Sequence, residues 1–161
     1  MFEGYTLVDA KKTINVQASN KQQLYRCNTQ GKDIIIPESY NFNTAYPNCK
    51  STIYTQGNCS SSYAIVAASA ITDRHCQQNG EKEDYQRFDV SPQTPVFCDK
   101  FINQQCKGGY ISRTLDYAKL YGLVDLTSAP YNEQEGDIAD NCTQKYRDSP
   151  RFKIGDYCVA S

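Results

Sequence analysis

The stretch that decides the fold runs Gln56-Gly57-Asn58-Cys59-Ser60-Ser61-Ser62-Tyr63-Ala64. A Gln-Gly turn here leads into a predicted helix that begins near Ser61 or Ser62. The first turn of a helix carries unpaired backbone N–H groups and a partial positive charge. Together they lower the pKa of a thiol and stabilise an oxyanion. The pattern is therefore typical of a catalytic nucleophile placed at a helix start.

The apolar pattern predicts that this central helix ends near Cys76 and is buried on most sides. Ser60 to Ser62 offer side-chain oxygens to cap it. Glycine, proline and capping residues delimit the other elements. They are a helix at 6–16, an extended segment at 34–36, irregular chain at 38–58, a helix at 91–98 capped by Ser91, a tight loop at 106–109, a helix at 111–120 closed by Gly122, and a strand from Arg151 to Ala160.

Residues 56–64 resemble the papain-family signature Q-G-x-C-G-S-C-W-A, in which the second Cys is the nucleophile. Further segments resemble cathepsin B motifs in the same order along the chain. They are Met1–Ile14 (the end of a propeptide), Ile36–Asn41 (the start of the mature enzyme), Tyr46–Cys49 (W-P-x-C), Ala70–Cys76 (A-x-S-D-R-x-C), Ser91–Asp99 (S-x-Q-x-L-x-x-C), Cys106–Tyr110 (C-N-G-G-Y), Tyr121–Val124 (Y-G-[IL]-V) and Ala129–Tyr131 (x-P-Y). The chain thus looks like a cathepsin B-like member of the papain family of cysteine peptidases.

The resemblance implies an α+β, papain-like cysteine proteinase fold stapled by disulfides. It consists mainly of the helical (left) lobe plus the first strand of the barrel lobe. Residues 1–33 resemble a propeptide remnant, and residues 34–161 resemble the N-terminal, helical lobe. The C-terminal lobe that carries the family's His and Asn is expected to be absent. A lone barrel strand and an uncovered lobe interface would then call for a protein partner.

The resemblance also assigns roles to individual residues. Gln56 matches the glutamine of the oxyanion hole, and Ser62 takes the position of the nucleophile. Further positions of the substrate cleft are Ser60, Tyr63, Gly108 and Gly109. The family's disulfides imply the pairs Cys49–Cys76, Cys59–Cys106 and Cys98–Cys142. Cys27 and Cys158 remain, and they pair with each other, pair outside the chain or stay free.

Departures from the family pattern concentrate at the catalytic position. Ser62 replaces the cysteine, and a hydroxyl needs a general base at the moment of attack. The family's His lies about 130–150 residues beyond the nucleophile, farther than the chain extends. His75 lies on the same helix, about 20 Å along its axis, and cannot serve. Ser60 replaces a cleft glycine, and Tyr63 replaces a tryptophan.

These departures favour natural decay over a laboratory Cys→Ser change, which would explain Ser62 but neither Ser60 nor Tyr63. The sequence therefore predicts a catalytically inactive pseudo-peptidase that acts as a binding or structural subunit of a larger assembly. The alternative is the N-terminal half of an active peptidase. In that case Ser62 is the nucleophile, and a separate chain carries the His and Asn.

Composition narrows the remaining classes. A net charge of −1 gives no basic field for nucleic acid, and no apolar run is long enough to span a membrane. The eight cysteines favour disulfides, because no C-x2-C pair or neighbouring His supports a metal site. No cofactor is expected. Family precedent is lysosomal or secreted, yet no signal peptide is visible, so the localisation stays open.

Two N-glycosylation sequons occur, at Asn58-Cys59-Ser60 and Asn141-Cys142-Thr143. The first lies in the predicted cleft and is expected to stay unused. The second lies in a predicted loop and is the better candidate if the protein is secreted.

Overall fold

The structure is a computed structural model that describes residues 27, 37–50, 52–82, 85–99, 102–132, 146 and 148–158. Within these ranges the helices are α1 (Phe42–Ala45), α2 (Ser62–Asn79), α3 (Gln93–Cys98) and α4 (Ile111–Leu120), and a 3₁₀ turn spans Gln105–Lys107. The predicted helix at 6–16 and the extended segment at 34–36 lie outside the described residues. None of the described helices has the length and apolar character needed to cross a membrane.

The long helix α2 packs against α4, and their contact forms the main core. Ala67 and Ala68 of α2 are fully buried, and such small side chains let a neighbouring helix approach closely. The residues of this core are Ala68, Ile71, Val90, Tyr117, Ala118 and Leu123. Because this core is built on α2, the start of α2 is held in a fixed position.

Helix α3 is buried on nearly all sides, from Gln93 to Phe97. Ser91 Oγ accepts a hydrogen bond from the backbone N–H of Gln93 at 3.0 Å. This bond satisfies one of the N–H groups that a helix start leaves unpaired. Ser91 thus accepts a hydrogen bond at the helix start, as predicted, although Pro92 rather than Ser91 occupies the N-cap position.

A buried polar network joins the end of α3 to the start of α4. The carboxylate of Asp99, 2% exposed, accepts hydrogen bonds from the N–H of Ile102 at 2.9 Å and from Asn103 Nδ2 at 2.7 Å. Asn103 Oδ1 in turn accepts from the N–H of Tyr110 at 2.8 Å. The loop at 102–110 is thereby fixed at both ends, although the chain between them has little regular structure.

The segment 151–158 differs from its prediction as a strand. In its described part it makes one antiparallel bridge, between Leu123 and Phe152. The apolar alternation that suggested a strand instead packs Phe152 and Ile154 onto the core. Gly122, with φ of 78°, permits this packing, because a Cβ there would lie 2.9 Å from Arg151 Cβ.

Three disulfides join described residues: Cys27–Cys158, Cys49–Cys76 and Cys59–Cys106. The last two are pairs that the family resemblance implied. Of the options left open for Cys27 and Cys158, the structure has the pair. Cys98 is disulfide-bonded as well, and its expected partner Cys142 lies outside the described residues.

Three helices differ from the sequence predictions, and one of them is α3, which begins at Gln93 rather than at residue 91. The short helix α1 occurs where irregular chain was predicted, and Asn41 caps it by accepting from the N–H of Asn43 at 3.0 Å. Helix α2 extends three residues past its predicted end at Cys76. By contrast, α4 has its predicted bounds and is closed by Gly122 in the left-handed region.

Candidate functional site

Helix α2 begins at Ser62, the position that the resemblance assigns to the nucleophile. Of the serines expected to cap this helix, Ser61 does not do so, because this residue, directly before the helix, makes no capping hydrogen bond with its side chain. The Ser61 hydroxyl bonds to Tyr131 instead. The N–H groups of the first helical turn thus have no capping oxygen from Ser61.

The loop before the helix is attached to the loop at 102–110 by two links. One is the disulfide Cys59–Cys106. The other is a backbone hydrogen bond of 2.9 Å from the N–H of Ser60 to the carbonyl of Cys106. Ser60 is 4% exposed, so its side chain occupies space that a glycine would leave open.

Tyr131 braces the same loop from the other side. Its hydroxyl donates to the carbonyl of Gln56 at 3.2 Å and also hydrogen-bonds to Ser61 Oγ. Gln56 and Ser61 stand at the two ends of the loop that leads into α2. Sequence reasoning found Tyr131 only as part of the x-P-Y motif and gave it no role, because the residues it joins are up to 75 positions away.

We expect Tyr131→Phe to lower the free energy of unfolding by about 1–2 kcal/mol, because it removes two hydrogen bonds. The ring contact with Tyr54, at 5.8 Å between centroids, is retained. Urea unfolding measures the change, and hydrogen exchange at residues 57–61 should become faster. The control is Tyr40→Phe on a ring that is 63% exposed. Unchanged exchange in Tyr131→Phe would contradict the bracing role.

Tyr63 fills the position where the family signature has tryptophan. Its side chain is fully buried, and its hydroxyl donates to the carbonyl of Gln105 at 3.0 Å. Burial, followed by the negative charge of Asp99 and the neighbouring Tyr131, raises the pKa of Tyr63 well above its ordinary value. The phenol therefore stays neutral and is a structural group.

The two predicted cleft glycines have different reasons to be glycine. Gly108 has φ of 114°, a backbone conformation that side chains other than glycine's rarely adopt. Gly109 does not have positive φ. A Cβ at Gly109 would instead lie 2.9 Å from the Tyr63 ring and 2.8 Å from Asn103 Cγ. The loop at 106–109, called the glycine loop below, is thus packed directly on Tyr63.

The lone histidine is held away from the serine by its own packing. The His75 ring contacts the rings of Tyr85, Phe88 and Phe152, with centroids 5.0–6.1 Å apart. Within the described ranges, no side chain hydrogen-bonds to the Ser62 hydroxyl, and His75 Nδ1 is buried without a hydrogen-bond partner. These residues alone do not form a nucleophile–base pair.

The loop before α2, the start of α2 and the two glycines thus lie together around Tyr63 and the Cys59–Cys106 disulfide. The papain family cysteine protease model matches residues 36–160. The chain therefore belongs to the papain family.

Within that family the chain is cathepsin B-like. Cathepsin B-like CP2 of Giardia intestinalis is 27% identical over 113 residues, which cover 70% of this chain and 36% of that protein. Cathepsin B of Dictyostelium discoideum is 34% identical over 98 residues, which cover 60% and 30%. The solved structure of procathepsin B S9 from Trypanosoma congolense superposes with a TM-score of 0.71 at 27% identity, covering 79% of this chain and 44% of that one.

The chain thus spans about a third of the length of the curated relatives it matches. Its helical elements and disulfides have the papain-like fold.

Proposed function

We propose that this chain is a catalytically inactive, cathepsin B-like pseudo-peptidase that acts as a binding or structural subunit of a larger assembly. The observation that carries the proposal is Ser62 at the start of α2, with its hydroxyl unpaired by any described side chain. A thiol at this position ionises readily beside a helix start. A hydroxyl does not, and needs a base to remove its proton.

The residues around Ser62 support a protein that has kept the peptidase architecture but has lost peptidase activity. Gln56 and the glycine loop remain, and Tyr63 replaces tryptophan with its hydroxyl paired to Gln105. Ser60 has a buried side chain where the signature has glycine. A site that keeps its architecture but has no nucleophilic thiol is suited to binding rather than to turnover.

We expect the full chain to hydrolyse no fluorogenic dipeptide substrate and to form no adduct with an epoxide probe for cysteine peptidases. The informative variant is Ser62→Cys. Its thiol should react with iodoacetamide, while turnover should stay absent because no described side chain hydrogen-bonds to this position as a base would. The matched control is Ser69→Cys, which introduces the same thiol at another serine of the same helix. Turnover by the unchanged chain that disappears in Ser62→Ala would contradict the inactive scaffold, as would turnover gained in Ser62→Cys.

A partner for the scaffold is proposed at the face of α2 that continues from Ser62. Val66, one turn further along, is 48% exposed, and Ile53 is 96% exposed. Ile53 also lines an open concavity of about 620 Å³ with Tyr54 and Leu126. We propose that Val66 is the residue of α2 that the partner covers.

Purification of the protein from its native source, with mass spectrometry of what accompanies it, tests this partner. Val66→Asp should remove the partner, whereas Leu120→Asp, at a residue 58% exposed on α4, should not. Loss of the partner in both variants, or in neither, would contradict a contact at this face of α2.

The alternative function is that of an enzyme half with Ser62 as the nucleophile. The intact helix start and the braced Gln56 loop favour it. A stoichiometric partner that carries the family's His and Asn motifs would support this alternative, and unrelated partners would support the scaffold.

A further inference from the structure

We propose that Asn58 carries an N-linked glycan, which covers the cleft at the start of α2. Asn58-Cys59-Ser60 is an acceptor sequence for this modification. One departure from the family signature completes this acceptor sequence. Asparagine occupies the variable position before the first cysteine, and Ser60 replaces the glycine that would otherwise break the sequon.

The geometry favours a glycan at this residue, against the expectation from the sequence that a sequon in the cleft stays unused. Asn58 is exposed and lies in a turn that Gly57, with φ of 60°, makes possible. Among the described residues its side chain has no hydrogen-bond partner, so attachment of a sugar sacrifices no contact there. A glycan is bulky and hydrophilic and must stay in water, and an exposed turn allows this.

The redox chemistry of the chain is consistent with the same pathway. Disulfides join three pairs of described residues, including Cys59, the middle residue of the sequon. Disulfides form in the compartments through which secreted proteins pass, where asparagine is also glycosylated. The buried hydroxyl of Ser60, 4% exposed, implies transfer to the chain before it folds.

In the transfer, Asn58 Nδ2 attacks the anomeric carbon of an oligosaccharide linked to a lipid pyrophosphate. The C–N bond forms as the C–O bond to the pyrophosphate breaks, and the amide loses one proton to a base of the transferase. No oxidant or reductant is needed. In the folded chain Asn58 is four residues from Ser62, so their Cα atoms are at most about 14 Å apart. A glycan attached there reaches over the cleft position.

The test is expression of the full chain through a eukaryotic secretory pathway, followed by release of glycans with peptide N-glycosidase in H₂¹⁸O. This enzyme converts a glycosylated asparagine into ¹⁸O-labelled aspartate. We expect the label at position 58, its loss in both Asn58→Gln and Ser60→Ala, and its retention in Asn141→Gln. Label at position 141 without label at 58 would overturn the proposal, and so would the absence of label at both.

Coverage of the cleft is measured separately, with a thiol introduced by Ser62→Cys. A polymer-linked maleimide should alkylate this thiol several-fold more slowly than it alkylates Ser62→Cys/Asn58→Gln, whereas iodoacetamide should alkylate both at similar rates. Equal rates with the large reagent would show that the glycan does not cover the cleft. Turnover assays on Asn58→Gln keep this proposal apart from the inactive scaffold, because a glycan-free chain that remains inactive lacks activity for another reason.

Discussion

Tyr63→Ala is expected to lower the free energy of unfolding by about 3–5 kcal/mol, the range for emptying a large buried aromatic site. The Tyr63 side chain is fully buried, and it packs with Cys59, Ala64 and Val96 in one core cluster. Gly109 lies against its ring. The substitution therefore opens a cavity at the junction of α2, α3 and the glycine loop.

Tyr63→Ala also removes a hydrogen bond, which lowers the free energy of unfolding further. The Tyr63 hydroxyl pairs with the carbonyl of Gln105 at 3.0 Å, and an unpaired buried carbonyl is costly. Tyr63→Phe separates the two contributions, because it keeps the ring and removes only the hydrogen bond, at a cost of about 1 kcal/mol. Urea unfolding followed by far-UV circular dichroism measures both variants.

Tyr63→Trp shows whether this site still accommodates the family residue. No side-chain surface of Tyr63 is exposed, so a larger ring has to displace the glycine loop. We expect a loss of about 1–3 kcal/mol from overpacking. The control is Tyr40→Ala, at a residue 63% exposed, with a change within about 0.5 kcal/mol. If Tyr63→Ala were as mild as this control, the ring would not be part of the core.

The sequence predicts those features of the fold that depend on neighbouring residues, and it does not predict those that depend on residues far apart in the chain. The bounds of α4 follow from local signals, namely its apolar periodicity and Gly122. The predicted end of α2 at Cys76 is too early, because the last turn of the helix is polar and is stabilised by hydrogen bonds within that turn. Asn79 Nδ2, for example, donates to the carbonyl of His75 at 2.9 Å. A polar turn at a helix end looks like loop in sequence.

The sequence names candidate site residues, but it does not show which contacts hold them in place. The signature motif points to Gln56 and Ser62, and nothing local shows that Tyr131 braces the loop between them. The same holds for the pairing of Asn103 with Asp99, which fixes the glycine loop from behind. These bonds form between segments that are distant in sequence and come together only in the fold. Local patterns in the sequence therefore do not predict them.

The double substitution Cys59→Ala/Cys106→Ala is expected to lower the free energy of unfolding by about 2–5 kcal/mol. The disulfide closes a loop between residues 47 positions apart, and its removal gives the unfolded chain more freedom. In the folded state it also removes one of the links between the loop at 56–61 and the glycine loop, and the Ser60–Cys106 backbone hydrogen bond remains.

The matched control is Cys49→Ala/Cys76→Ala, which opens a disulfide of sequence separation 27. The chain-entropy model makes the two losses differ by only about 0.5 kcal/mol, so global stability cannot tell the two bridges apart. Hydrogen exchange can. The amides at 57–61 should exchange faster only in Cys59→Ala/Cys106→Ala, because only that bridge ends in the loop before Ser62. Equal acceleration in both variants would mean that the cleft is held by overall stability rather than by its own disulfide.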